Sequence, residues 1–249
     1  MLAFARETRL SETTFVQAAG EKGADYRNRI WTPEGEIPFA GHPSLGTAVA
    51  IARRRGESRA SYVQQTGFGL QPLEVEADGD RAHASMIQSE PELGPEVDSG
   101  QVMAAVALSE ADAHPELPPQ VASSGLPHLL APVAEVEALE RCAPHYDAIE
   151  ELLAPLGAFH LQLVWADAQA GVARMRGFMR GGGEDPATGS AAGPLCDYLA
   201  ERLGMPGLAL EIQQGVEMGR PSLLRAERVE GGVRVSGTVI AILDGETSF

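Results

Sequence analysis

The strongest constraint on how this chain can fold is that it carries the same pattern twice. The segment EIPFAGHPSLGTAVAIARRRG, from Glu36 to Gly56, has a counterpart in EDPATGSAAGPLCDYLAERLG, from Glu184 to Gly204. Glu36 matches Glu184, Pro38 matches Pro186, Gly41 matches Gly189 and Gly56 matches Gly204, each 148 positions on. The flanks agree as well: YVQQTG around Gln64 and Gln65 matches EIQQG around Gln213 and Gln214 with one residue of slippage. Each copy then continues into a strand-turn-strand pattern, LEVEADGDRAHASM in one and SLLRAERVEGGVRVSG in the other. The repeat predicts two similar α+β halves related by a pseudo-twofold axis, residues 1–95 and 96–249, with a return of the last strands to the first half left open.

The helix reading is firmest in SLGTAVAIARRRG and GPLCDYLAERLG, where apolar residues recur at helical spacing, arginine sits in the last turn and glycine closes the element. Both helices start at a Gly-containing turn, so their unbonded N–H groups and positive dipole ends are available to an anion. Two such starts facing a cleft between the halves suit a carboxylate substrate or an enolate-like intermediate, although the same turn occurs wherever a strand has to become a helix. The region from Pro91 to Pro155 reads as linker and covering helices of the second half, with helix-like VMAAVALSEADA and YDAIEELLAPLG. Between these, SSGLPHLLAPVA puts Ser123, Ser124, Gly125 and His128 into a turn followed by a strand, a pattern that fits a plain loop as well as a ligand contact.

Composition removes several function classes. Of 249 residues, 35 are Asp or Glu and 19 are Lys or Arg, and the net charge of -16 repels phosphate backbones and anionic lipid headgroups. No nucleic-acid or membrane partner is expected. No apolar run reaches the length of a membrane span and MLAFARETRL lacks the layout of a signal peptide, so the expected location is cytoplasmic. Lys22 is the only lysine and lies in the loop-like GEKGAD, which disfavours a Schiff base or a Walker-type phosphate loop. Cys142 and Cys196 form no CxxC pattern, and the six histidines include no HExxH pair, so no metal is expected.

Three side chains could move protons. Glu12 sits where a helix end and a turn give way to the β-branched strand TTFV; it fits a solvated loop glutamate, or, if it faces the cleft, a general acid/base. His42 follows Gly41 at the first helix start, and Asp185 holds the corresponding turn of the second copy. Each also fits a purely structural capping role. Ser44 in GHPSLG and Ser190 in TGSAAG raise a serine hydrolase as an alternative, but neither has the G-x-S-x-G elbow. A non-catalytic protein that binds a small ligand is the other alternative.

LSETTFV, EIPFAGHPSLGTA, SSGLPHLL, EDPATGSAAGPL and the late GRPS together resemble the PhzF-like phenazine biosynthesis family of isomerases, from about residue 3 to the C-terminus. The resemblance implies the diaminopimelate-epimerase-like fold, two halves each with a barrel-like, mostly antiparallel sheet around a central helix. Epimerases related by fold use two cysteines at the helix starts; here those turns carry Ala40, Gly41, Glu184 and Asp185. The resemblance therefore implies the PhzF-like chemistry, a cofactor-independent isomerisation in which the glutamate of the SET motif, Glu12, is the general acid/base and His42 and Asp185 assist. It further implies anion contacts from Gly189 and Ser190, a small carboxylate substrate and a homodimer. The reference reaction isomerises trans-2,3-dihydro-3-hydroxyanthranilate by proton transfer. Gly41, Ser44, Ser123 and Gly125 complete the candidate substrate-binding set. Family members open with a strand and a GNP-containing turn ahead of the helix ending in ARETRLSET, so the first half is expected to lack its first strand.

Overall fold

A computed structural model describes residues 1–79 and 81–246. The chain divides into two compact units: unit 1 is Met1–Ile87 with Ser236–Phe249, and unit 2 is Gln88–Val235.

Unit 1 begins with helix α1 (Leu2–Thr8), followed by strands β1 (Thr13–Gln17), β2 (Tyr26–Trp31) and β3 (Glu36–Ile37), helix α2 (Gly41–Arg55), and strands β4 (Arg59–Thr66), β5 (Gly69–Asp78) and β6 (Arg81–Gln88). The last residue of β6, Gln88, already belongs to unit 2. The sheet order is β1-β2-β4-β5-β6, with β3 also on β2. Every pairing is antiparallel except β2 with β4, because α2 intervenes and carries the chain back to the starting end. Helix α2 packs on β1, β2, β4 and β5. Its buried Leu45, Ala48, Val49 and Ala52 share the core with Ile30, Tyr62, Leu73 and Val75.

Unit 2 contains β7 (Glu92–Glu96), α3 (Ser99–Ala105), a 3-10 turn at Glu110–Asp112, β8 (Gln120–Ser123), β9 (Pro127–Pro132), α4 (Glu137–Arg141) and α5 (Tyr146–Leu153). It continues with β10 (His160–Asp167), β11 (Val172–Met179), β12 (Glu184–Asp185), α6 (Gly189–Leu203), β13 (Ala209–Gln214), β14 (Ser222–Val229) and β15 (Gly232–Ile240). From Ser236 onward β15 belongs to unit 1. The sheet runs β14-β13-β11-β10-β9-β8-β7, with β12 on β11.

The repeat is a repeat of pairings as well as of letters. β1-β2-β3-α2-β4-β5 corresponds to β10-β11-β12-α6-β13-β14, and in each copy the strands on either side of the helix are parallel while the remaining pairs are antiparallel. The two helices also stop in the same way. Gly56 and Gly204 adopt left-handed φ of 70° and 67°. The N–H of Glu57 bonds Ala52 O and that of Met205 bonds Ala200 O, the six-to-one bond that closes a helix at glycine. This is the diaminopimelate-epimerase-like α+β fold expected from the resemblance.

Two expectations need correction. The stretch from Pro91 to Pro155, read as linker and helices with one strand in SSGLPHLLAPVA, supplies two further strands, β7 and β8, beside the expected β9. β7 carries glutamate at both ends and Pro95 within, so its composition hides a strand at the sheet's edge. The expected helices VMAAVALSEADA and YDAIEELLAPLG are realised as the shorter α3 and α5, with apolar faces (Val102, Met103, Ile149, Leu153) that cover β9 and β10.

Two glycines are required by close backbone approach, again at the same offset. A Cβ on Gly67 would stand 2.9 Å from Pro38 Cα. One on Gly215, whose φ is +75°, would stand 2.9 Å from Pro186 O and 3.2 Å from Pro186 Cα. Each glycine lets the end of a strand lie against the proline turn that launches the helix. Gly215→Ala combines left-handed backbone with a backbone clash and is expected to destabilise the protein by about 1–3 kcal/mol or more. Gly67→Ala, which meets only the clash, should lower the melting temperature less; thermal denaturation of both variants measures the difference.

Candidate active site

In unit 1 the start of α2 and the start of β1 bring two of the expected residues together. Ala40 precedes the helix in extended conformation (φ -152°, ψ 140°), so that Gly41 and His42 form its first turn. His42 Nε2 lies 3.0 Å from Glu12 Oε2. The Glu12 side chain retains only 19% of its exposure, against 44% for His42. Glu12 is therefore not a freely solvated loop carboxylate: it is held half-buried against an imidazole. The same two elements are tied one residue pair deeper by the hydroxyls of Thr14 and Thr47, 2.8 Å apart. Ser44 is fully buried and its hydroxyl donates to Ala40 O at 2.7 Å, so it is engaged within its own helix.

In unit 2 the turn before α6 is built from side chains. Asp185 Oδ1 accepts from the N–H of Ala187 at 3.1 Å and its Oδ2 accepts from the Thr188 hydroxyl at 2.8 Å. Gln214, fully buried on β13, accepts from the N–H of Thr188 at 2.8 Å and donates to Asp185 O at 2.7 Å and to Thr188 Oγ1 at 2.9 Å. Gln88 donates to Gly189 O at 3.0 Å. The first residues of this helix are buried, and buried amides bond part of its first turn.

Ser190 is the second residue of α6, the position that His42 occupies in α2. Its hydroxyl lies 3.0 Å from Nε2 of His128, which is wholly buried on β9. The imidazoles of His128 and His160 stand side by side, centroids 5.2 Å apart, because parallel β9 and β10 place them in register. Burial, with a smaller contribution from His160, holds His128 well below the ordinary histidine value of 6.5. Ser123 and Gly125 lie in the β8–β9 turn, where Ser123 Oγ accepts from the Gly125 N–H at 3.0 Å. Neither is bonded to the residues around α6. Gln88, Gln162 and Thr188 stand beside the expected residues, and a polar residue at an inward-facing strand position is the sequence signal that points to the two glutamines and to His128.

Among the described residues, no group of three His, Cys, Asp or Glu side chains is placed to hold a metal ion. No described helix is long and apolar enough to cross a membrane. Both cysteines are buried, and burial raises the Cys142 thiol to about 11 and the Cys196 thiol to about 12, so neither supplies a thiolate near neutral pH.

Comparison with known proteins agrees with this arrangement. Residues 1–245 match the model of the PhzC-PhzF family, described as phenazine biosynthesis-like protein. The trans-2,3-dihydro-3-hydroxyanthranilate isomerase of Pseudomonas aeruginosa is 37% identical over 246 residues, 97% of this chain and 84% of that one. Among solved structures, a predicted epimerase from Pseudomonas aeruginosa superposes with a TM-score of 0.85 at 35% identity, covering 99% of this chain and 88% of the other. A hydroxyproline epimerase from Agrobacterium vitis shares the fold alone, with a TM-score of 0.64 at 15% identity over 92% and 72% of the two chains.

Because His128 is neutral in the folded protein and titrates normally when unfolded, protons below about pH 6.5 bind the unfolded chain in preference. Its contribution to stability is complete above that pH and falls as pH drops, by about 1.4 kcal/mol per pH unit until the folded ring itself protonates. Denaturant titrations between pH 4 and 8 should show this slope reduced in His128→Gln.

Proposed function

The chain belongs to the PhzC-PhzF phenazine biosynthesis-like family, and from that membership we propose that it is a cofactor-independent isomerase that moves a proton on a small carboxylate substrate. Glu12 is the general acid/base. A carboxylate held half-buried at 3.0 Å from an imidazole is the observation that carries this reading. The His42 imidazole stands where it can share a proton with the Glu12 carboxylate. The ionised carboxylate takes a proton from a carbon flanked by unsaturation, the electron pair shifts along the double bond, and the carboxylic acid so formed returns the proton to a second carbon. Atoms and charge balance without an external oxidant or reductant.

The other half of the reading concerns charge. Helix α6 presents the positive end of its dipole and the hydroxyl of Ser190, which suit a carboxylate, while the Gly189 N–H is engaged by Ala187 O at 3.2 Å. Asp185 accepts two bonds within the turn before α6 and so fixes the position from which these point. The trans-2,3-dihydro-3-hydroxyanthranilate on which the Pseudomonas relative acts has both the carboxylate and the acidified C–H bond that this scheme needs. A homodimer and a cytoplasmic location complete the proposal, supported by family resemblance.

The spacing of Ser190 and His128 also matches that of a nucleophile and its base. Two observations weigh against that reading. His128 Nδ1 is buried without a hydrogen-bond partner among the described residues, so no third group there orients the ring as a catalytic base requires, and the ring itself is wholly enclosed.

Glu12→Gln preserves shape and removes the ionisable proton carrier. On incubation with trans-2,3-dihydro-3-hydroxyanthranilate in D₂O, the wild type is expected to place deuterium at the carbon that receives the proton. Glu12→Gln should slow this on the order of 10²-fold or more, with the fold and most of the affinity retained. Undiminished turnover in Glu12→Gln would remove Glu12 from the chemistry. Since Asp185→Ala also strips the α6 turn of two acceptors, Asp185→Asn is the cleaner variant; it should lower rate and affinity together, by less than Glu12→Gln lowers rate.

A further inference from the structure

Along α6 the facing surface of the unit 2 sheet changes character. Beside the later turns it is apolar, with Leu130, Val164, Met175 and Ile212 packed on Leu195 and Leu199. Two residues further toward the helix start, on each of those four strands, stand His128, Gln162, Gly177 and Gln214. The alternation of a strand keeps each of them on the same face as its apolar neighbour. A buried polar residue lowers stability unless it is bonded, so three polar residues and a glycine at one level call for an explanation.

Gln214 is explained by its bonds to the α6 turn. Gln162 is not: it is fully buried and neither atom of its amide has a hydrogen-bond partner among the described residues. It is aimed at the helix start, since the position a Cβ on Gly177 would take lies 2.9 Å from Gln162 Oε1, 2.9 Å from Thr188 Oγ1 and 3.0 Å from Gln214 Nε2. An unpartnered buried amide directed at a helix start marks it as more than a packing arrangement.

We propose that His128 is a positioning residue whose Nε2–H donates to Ser190 Oγ and thereby fixes the Ser190 hydroxyl as a donor toward a substrate carboxylate at the start of α6. The carboxylate rests on the proposed function; the direction of the His128–Ser190 bond does not. That direction follows from the other ring nitrogen. Nδ1 is buried without a partner among the described residues, and a buried N–H with no acceptor is a rarer and more destabilising arrangement than a lone pair with no donor. Nδ1 therefore carries the lone pair and Nε2 the proton. Ser190 has His128 as its one hydrogen-bonded side chain among the described residues. Having accepted from His128, the hydroxyl directs its own proton elsewhere, and beside the positive end of a helix the complementary acceptor is an anion. With the opposite tautomer, Ser190 would present only lone pairs to that anion.

Nitrogen-15 NMR of the full chain with labelled histidine, the His128 signals assigned by their loss in His128→Gln, reads the tautomer directly. The expected result is Nε2–H at pH 7; a ring carrying Nδ1–H overturns the proposal whatever the reaction is. Calorimetry with anthranilate and anthranilamide tests the consequence. The wild type should prefer the carboxylate, and His128→Leu and Ser190→Ala should each weaken that preference about 10-fold, with the double variant no worse than either single one. His128→Gln, which keeps an N–H donor, should restore most of it. Independent losses in the double variant, or an unchanged preference in His128→Leu, overturn the proposal. An Nε2–H ring with the expected carboxylate preference in a protein that isomerises no substrate would support the role of His128 and overturn the isomerase reading instead.

Discussion

A helix whose first turn is buried has to bond part of that turn from protein atoms, and much of unit 2 follows from that requirement. Every residue of α6 from Gly189 to Ala200 is buried. The helix lies against β8, β9, β13 and β14, so its buried side chains are mostly apolar or small, the buried Asp197 being paired with Arg228 at 2.9 Å. At its start protein atoms bond part of the buried first turn. Asp185, Thr188 and Gln214 bond the turn to itself and to β13, and Gln88 bonds Gly189. Gly215 permits the close approach that makes this possible, since any side chain there would meet the backbone of Pro186.

The two copies of the repeat solve this problem with different residues. In unit 1 the end of β4 is Thr66, whose hydroxyl donates to Gly69 O at 3.3 Å, and the buried Gln64 two residues earlier bonds sideways, accepting from Asn28 at 3.1 Å and donating to Gln71 at 2.9 Å. The α2 turn has Ile37 and Ala40 where the α6 turn has Asp185 and Thr188, so it offers no side-chain acceptor of its own. The second helical position diverges too. His42 is exposed enough to meet solvent and pairs with Glu12, whereas Ser190 is buried and pairs with a histidine from beneath. One copy thus presents a partly buried carboxylate held against an imidazole, and the other a buried hydroxyl held by a buried histidine.

Much of the fold was written in the sequence because its determinants are local. The matched Gly-Pro turns, the helical spacing of apolar residues and the closing glycines at Gly56 and Gly204 each act over a few residues, and a constant offset between two copies survives any uncertainty about either one. The paired Gln-Gln motifs likewise marked the strands that follow the helices. Glu12, His42 and Asp185 could be named as candidates because they sit at junctions where a strand, turn and helix meet.

Tertiary structure decided the rest, for reasons that no local pattern carries. β7 is a short edge strand with glutamates and a proline, and pairing with β8 rather than its own composition makes it a strand. Whether Glu12 is a solvated loop residue or a held carboxylate depends on His42, thirty positions away, and so on how β1 packs on α2. His128 and Ser190 are further apart still, and their 3.0 Å contact exists because parallel pairing of β9 and β10 sets the register of the strands under the start of α6. The sequence determined which residue types stand at the turns; long-range strand pairing determined which are buried and what each one touches, and burial and contact govern protonation and hydrogen-bond direction.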